Sequence, residues 1–287
     1  MLKIGIIGAG KVGTALAVLL SRKGYKVASV YSRSQSSAEK LAAIVKGCRV
    51  AHSYQEAADA AELIFITTPD SAIAGVVSLV KWHAGHSVIH CSGADSTDIL
   101  EPARQSGAMV GGFHPLQTFA GIKEAIENLP GSTFALETEE PLLTSLKKMA
   151  EDLGGQWITL KAEDKVAYHT AAVFASNYLV TLVKMATDLW KTFSIPTDQA
   201  TKALLPLMRG TLHNIETIGI PQCLTGPIAR GDTGTVSKHL HDLQKKAPAL
   251  LFPYQELGLQ TIPVALAKGK IDEKQASELE MILKNGQ

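Results

Sequence analysis

Four groups of residues in this chain have types and spacings that packing alone does not require. The first is Lys165, His169 and Ser176, separated by four and seven positions. On a regular helix, at about 100° per residue, all three fall on one stripe, with Asn177 beside it. The segment from Val166 to Val183 carries no Asp, Glu, Lys or Arg. A lysine and a histidine next to so apolar a stretch cost free energy unless they meet partners or a wet cleft. Lys165 also stands at the helix start, where a cation opposes the helix dipole, which argues against a purely stabilising role. Either Lys165 or His169 exchanges a proton with a substrate, or Lys165 is exposed in the first turn and His169 is bonded within the core.

The second group is Gly111-Gly112-Phe113-His114-Pro115, at the end of an expected strand. The following proline keeps the His114 backbone extended and the ring in a defined direction. Such a histidine binds a carboxylate, exchanges a proton, or bonds to its own loop. The third is Leu224-Thr225-Gly226-Pro227-Ile228-Ala229-Arg230-Gly231-Asp232, a shaped loop between helices. Arg230, with Thr225 near it, either clamps a substrate carboxylate or pairs with Asp232 to fix the loop.

The fourth group lies at the amino end. Lys3-Ile4-Gly5-Ile6-Ile7 reads as a strand and Thr14 to Leu20 as a helix, joined by Gly8-Ala9-Gly10-Lys11-Val12-Gly13. In that context GxGxxG is a dinucleotide signal. Gly8 allows the tight turn, Gly10 a close approach of pyrophosphate to the backbone, and Gly13 the packing of helix on strand. The free N–H groups of the helix start favour the phosphate charge. After the second strand, residues 26–31, comes Ser32-Arg33-Ser34. No acid is present there to bond a ribose 2′-hydroxyl, and an Arg between two Ser suits a 2′-phosphate, so NADP is expected over NAD. Thr68 and Pro69, and Ser92 in Cys91-Ser92-Gly93-Ala94, close two further strands on the ligand side of the sheet. His83, His86 and His90 have spacings that suggest zinc, but they cross from a turn into a strand and cannot share one helical face. No metal is expected.

These groups need a scaffold. Strands are expected near 49–51, 63–67, 87–90, 109–113, 133–137 and 156–160, alternating with helices, which gives a doubly wound, mostly parallel sheet. From Glu163 no further strand is expected. A helix from Glu163 to Lys191 is apolar all round and so must be enclosed, by other helices or by a second subunit. Thr197 is expected to cap the next helix, with a kink or break at Pro206. Thr235 and Pro248 open two more, and Asp272 with Gln275 resembles a capping box for the last. The domains are therefore 1–161, a nucleotide-binding α/β domain, and 162–287, an all-helical domain for substrate and dimerisation.

A charged fraction of 19% and a net charge of +1 offer no global field for nucleic acid or an anionic membrane. Three separated cysteines without a CxxC pair fit a reduced, cytoplasmic protein. The apolar stretch 166–183 contains His169, Ser176 and Asn177, and reads as a buried helix rather than a membrane span.

Taken together, GIIGAGKVGTAL, TTPDSAI, HCSGA, GGFHPLQTF, LPGSTFALE, DKVAYHTAAVFASNYLV and LTGPIARGDTGTV resemble the Rossmann-like proteins that carry a C-terminal domain of unknown function, number 2520. That family sits in a wider group with pyrroline-5-carboxylate reductase, ketopantoate reductase, 6-phosphogluconate dehydrogenase-like enzymes and prephenate dehydrogenase. The resemblance implies an NADP-binding domain, a helical second domain and a homodimer formed through it. It supplies no substrate. Related 3-hydroxyacid dehydrogenases and ketopantoate reductases place a catalytic Lys with an Asn four residues later on the first interdomain helix. Lys165 matches by position, and the fourth residue on is His169. His114-Pro115 resembles a His-Pro step of prephenate dehydrogenases. The expected activity is NADP(H)-dependent hydride transfer to or from a small polar, carboxylate-bearing substrate, with a non-catalytic NADP-binding redox sensor as the alternative.

Overall fold

The computed structural model describes residues 2–285, which divide into two compact units, Met1–Ser176 and Asn177–Gln287. The first unit holds eight strands: β1 (Lys3–Ile7), β2 (Lys26–Tyr31), β3 (Arg49–Val50), β4 (Leu63–Ile66), β5 (Ser87–His90), β6 (Met109–Leu116), β7 (Thr133–Glu137) and β8 (Gln156–Thr159). Its helices are α1 (Lys11–Arg22), α2 (Gln35–Ile44), α3 (Tyr54–Asp59), α4 (Asp70–Leu79), α5 (Glu101–Gln105), α6 (Ile122–Asn128), α7 (Leu142–Asp152) and α8 (Lys165–Ala172). The sheet order is β3-β2-β1-β4-β5-β6-β7-β8, and β6 with β7 is the antiparallel pair.

The period of two along a strand explains the two faces. Ile4, Ile6, Leu63, Phe65 and Ile89 enter one buried cluster with Leu16, Leu20 and Leu41 of α1 and α2. Ile7, Ile64, Ile66 and Val88 enter the other, with Ala57, Ile73 and Ala103 of α3, α4 and α5. Helices on both faces make β4 and β5 buried throughout, hence their unbroken apolar sequence. This is the doubly wound, mostly parallel α/β sheet expected.

β6 runs three residues past the expected end. Its pairing with β5 stops at His90–Gly112, while pairing with β7 continues to Leu116–Thr133. Beyond Gly112 one side of β6 has no β5 partner, so Pro115, which lacks an N–H, is tolerated there. His114 is therefore held inside a strand, opposite Ala135, not in a loop.

The sheet ends at Thr159, close to the expected boundary at 161, and the first compact unit runs on to Ser176. The second unit contains α9 (Tyr178–Lys191), α10 (Thr197–Ile218), α11 (Thr233–Lys246), α12 (Leu251–Ala267) and α13 (Glu273–Asn285). α9 packs on α10, while Val236, Leu240, Ile262, Ala265, Leu279 and Leu283 form a core shared by α11, α12 and α13.

Several local expectations are corrected. Helical residues run from Ala162 to Lys191, but this chain does not enclose them: Val166 is 67% and Val180 70% exposed. Pro196, not Thr197, precedes α10, without a side-chain cap, and of the kink or break expected at Pro206 the break is removed, since α10 runs through it. Asp232 caps α11, accepting from the Thr235 amide at 2.9 Å, so Thr235 lies inside the helix it was expected to open. Asp272 and Gln275 do form the reciprocal capping box, at 3.1 and 2.8 Å.

Candidate functional site

At the carboxyl edge of the sheet the glycine turn has the geometry its sequence implies. Gly8 has φ +114°, and a Cβ there would lie 2.8 Å from the Thr67 backbone. A Cβ on Gly13 would lie 2.1 Å from the Gly8 carbonyl and 2.3 Å from Thr67 Oγ1, so α1 can approach β1 only without a side chain at that position. Thr67 Oγ1 in turn donates to the Gly8 carbonyl at 2.6 Å. Gly10 differs: a Cβ there would meet nothing within 4 Å. It faces open space, and as the N-cap of α1 it supplies no side-chain bond to the helix's first amides.

That space is a groove of about 270 Å³ lined by Gly8, Ala9, Gly10, Ser32, Arg33, Ser34, Thr68 and Pro69, together with Tyr31, Ser37 and Tyr54. All eight of the first residues are ones the sequence singles out. Lys11 and Val12 open α1, and Gly13 is buried behind the turn. Arg33 is exposed and, among the described residues, makes no ion pair, beside the N-terminus of α2 that Ser34 caps. Thr68 Oγ1 is buried without a hydrogen-bond partner. An open glycine, uncommitted amides, an unpaired cation and an orphaned hydroxyl along one groove fit a dinucleotide with a 2′-phosphate.

Ser92 is not part of that lining. Its hydroxyl bonds Asp95 and accepts from the Asp95 amide at 3.0 Å, so it ties its own turn together. Its amide donates to Nδ1 of His90 at 3.1 Å, and its carbonyl accepts from Lys165 Nζ at 3.0 Å. Lys165 is 1% exposed, which removes the reading of a solvated first-turn lysine. Its amine lies 3.8 Å from Oε2 of Glu137, the last residue of β7. Glu137 is oriented by Thr97, whose amide and hydroxyl both donate to Oε1 at 2.9 Å.

Burial pushes the Lys165 amine below the ordinary lysine value, and Glu137, Cys91, Asp95 and Asp70 pull in the opposite direction. Burial, then the Lys165 charge, lowers the His90 imidazole to about 3 and the His114 imidazole to about 4. Both rings are thus neutral at neutral pH.

His114 Nδ1 lies 2.8 Å from the Tyr168 hydroxyl. Burial raises the Tyr168 phenol to about 12, so it keeps its proton. Assigning Tyr168 as donor leaves the His114 proton on Nε2. The His114 and His169 rings meet edge to face, centroids 6.1 Å apart. Both pack against Gly93, where a Cβ would lie 2.6 Å from His169 Nδ1 and 2.8 Å from His114 Nε2. His169 Nδ1 is itself buried with no hydrogen-bond partner. The site therefore brings together His114, Tyr168 and His169 over Gly93, with Lys165 beneath the same turn.

Ser176 leaves the predicted stripe. Residues Val173–Asn177 form a π-helical turn, and closing i to i+5 takes more residues per turn than the 3.6 on which the stripe depends. Ser176 and Asn177 are both exposed. In the second unit Thr225 and Arg230 do share a cavity, of about 380 Å³, with Gly226, Ala229, Leu224, Lys268 and Lys270. Arg230 is 4.0 Å from Asp232, which is committed to capping α11. Sequence reasoning missed Glu137 and Tyr168. Tyr168 falls one residue before His169, and its type in an apolar helix signals packing alone. Glu137 gave no signal beyond being an acid at the end of an apolar strand.

Residues 1–115 match the Rossmann-like domain, and residues 132–261 match the domain of unknown function DUF2520. No curated protein matches the chain. Among solved structures, a Bacteroides fragilis protein provisionally classed as an NADP oxidoreductase is 26% identical, with a TM-score of 0.71 over 94% of this chain and 98% of its own. A reductive aminase from Aspergillus terreus, solved with NADPH and ethyl levulinate, shares the fold at 17% identity and TM-score 0.66, covering 98% and 99%. A 1-pyrroline-5-carboxylate reductase from Streptococcus pyogenes does so at 17% and 0.62, covering 98% of each chain.

Proposed function

We propose, for a chain that joins a Rossmann-like domain to a DUF2520 domain, an NADP(H)-dependent oxidoreductase acting on a small polar substrate. The observation that carries this reading is the groove at the carboxyl edge, where open Gly10 and exposed Arg33 with Ser34 stand at the two places a phosphorylated dinucleotide needs them. The Bacteroides protein's assignment supports it.

The bound dinucleotide would supply hydride chemistry. The chain's own residues would do the rest. The amides at the start of α1 and the Gly8–Gly10 backbone hold pyrophosphate, and Arg33 with Ser32 and Ser34 holds the 2′-phosphate. Of the three proton-transfer candidates, Lys165 is buried too deeply to touch substrate, and His114 is neutral and bonded to Tyr168. His169 is then the residue that exchanges the substrate proton, while His114, through Nε2–H, orients the reacting oxygen or nitrogen. Lys165 positions the turn on which both rings rest.

We also propose a homodimer through α9 and α10, supported by Val180, Leu207 and Leu212, exposed at 70%, 68% and 54%. The helical stretch Ala162–Lys191 is also long and apolar enough to cross a membrane by length and composition. Light scattering decides: a dimer mass without detergent is expected, and a monomer, or protein recovered only with lipid, contradicts the dimer.

The activity is tested by following NADPH absorbance with a panel of keto acids and cyclic imines. Turnover that falls roughly 100-fold in His169→Gln, with NADPH binding unchanged, is the expected result. Wild-type protein that binds NADPH but turns over none of the panel would instead favour a sensor.

A further inference from the structure

Behind the turn that carries Gly93, a line of alternating charges runs from the surface to Lys165. Asp98 and Glu101 flank the Arg104 guanidinium, at 3.9 and 2.5 Å. Arg104 reaches Thr97 Oγ1 at 3.4 Å, and Thr97 donates to Glu137. Glu137 faces Lys165, and Lys165 donates to the Ser92 carbonyl. Thr97, Arg104 and Glu137 also line a cavity of about 520 Å³ with Val110, Thr138 and Leu142. Met109 and Val110 open β6, so this cavity lies toward the amino end of that strand, whereas the dinucleotide groove lies at the carboxyl ends of β1, β2 and β4.

Glu137 Oε1 is saturated by Thr97, and Oε2 is buried with no hydrogen bond. A bare carboxylate oxygen in that position is costly unless a cation balances it, and Lys165 is the cation at hand. The pair lies directly against β6, since a Cβ on Gly112 would stand in ordinary contact with both partners, 3.4 Å from the Glu137 side chain and 3.6 Å from Lys165 Nζ. The other groups facing the amine are Cys91, Asp95 and Asp70, with His90 and His114 on the side of the imidazoles. Burial raises the Cys91 thiol to about 12 and the two histidines are neutral, and of the carboxylates facing the amine Glu137 is the one within ion-pair distance, at 3.8 Å.

We propose that Glu137 is a positioning residue for the reaction: it keeps Lys165 charged, and the charged amine pins the Ser92 carbonyl and so the Gly93 turn beneath His114 and His169. This rests on the reading of that histidine pair as the reacting end. Discharging Lys165 would weaken its hold on the Ser92 carbonyl, because a neutral amine donates less strongly than an ammonium, so the two imidazoles respond to an ionisation that neither of them undergoes.

The test is lysine- and histidine-selective 15N NMR on the full-length protein, with Lys165→Arg identifying the Lys165 signal. In Glu137→Gln the amide oxygen still accepts from Thr97, but the charge is gone. Lys165 is expected to lose its proton at least one pH unit lower than in wild type, a tenfold loss of proton affinity. The His114 and His169 signals should shift at that same new pH. In Glu137→Ala, sodium formate entering the 520 Å³ cavity should restore the wild-type titration, and formamide, neutral and of similar size, should not. An unchanged Lys165 titration in Glu137→Gln overturns the proposal, as does equal rescue by formamide. If Glu137→Ala does not fold, the Gln variant alone decides. None of these readings needs turnover, so a wild-type protein inert toward every substrate would remove the oxidoreductase and leave this coupling standing.

Discussion

The Tyr168 hydroxyl stands 2.8 Å from Nδ1 of His114, joining the first turns of α8 to the far end of β6. The bond fixes a ring that burial has already made neutral. Tyr168→Phe keeps the packing and removes the donor, leaving a buried nitrogen unpaired. The expected cost is about 1–2 kcal/mol in denaturant unfolding, with kcat reduced and the NADPH KM little changed. A variant as stable and as active as wild type would show that the bond orients nothing.

Gly10 and Gly13 should separate binding from folding. Gly13→Ala forces a Cβ to 2.1 Å from the Gly8 carbonyl and should cost about 3 kcal/mol or more, or fail to fold. Gly10→Ala meets no atom within 4 Å and should cost about 1 kcal/mol or less, yet weaken NADPH binding roughly tenfold or more. Melting curves with and without NADPH read both. Gly10→Ala binding as tightly as wild type would place the pyrophosphate elsewhere.

The two neutral histidines predict an acid limb of stability. In the unfolded chain they protonate near their ordinary value of 6.5, whereas in the folded protein they wait until about 4 for His114 and about 3 for His90. Between those limits the unfolded state binds more protons, so stability is full above 6.5 and falls as pH drops toward 3. His90→Asn should make the slope shallower. An identical slope in the variant would mean that carboxylates alone account for acid unfolding.

Breaking the buried ion pair should be costly and partly reversible. Lys165→Met leaves Glu137 Oε2 without a cation and should cost about 3–5 kcal/mol. Adding Glu137→Gln to Lys165→Met should recover part of that loss. Additive single-variant costs in the cycle would show that the two residues do not interact.

Much of this was legible in sequence where a local rule sets the residue. A turn with φ +114° and a helix packed against a strand admit only glycine at positions 8 and 13, so the motif and the geometry coincide. The absence of an acid after β2 pointed to the groove holding Arg33, because that position is fixed by strand length alone. Lys165 and His169 stood out as polar residues bordering an apolar helix. What escaped depends on distant pairing. Glu137 meets Lys165 only because β7 runs antiparallel to β6, and the direction of a strand is not written in its own residues. The helical stripe failed at Ser176 because the π-helical turn at 173–177 has no local sequence signal comparable to a glycine or proline. The cover expected for residues 163–191 is not identified by sequence, because an all-round apolar helix states that a cover is needed without saying which chain provides it.

The central claim is that the groove between the Gly8–Gly10 turn and Arg33 holds a phosphorylated dinucleotide. Its most direct test is a pair of calorimetric titrations of the wild-type protein, with NADPH and with NADH. The account predicts that NADPH binds at least roughly tenfold more tightly, an advantage that Arg33→Asp abolishes. Equal affinities in the wild type, or no heat from either ligand at millimolar concentration, would contradict it.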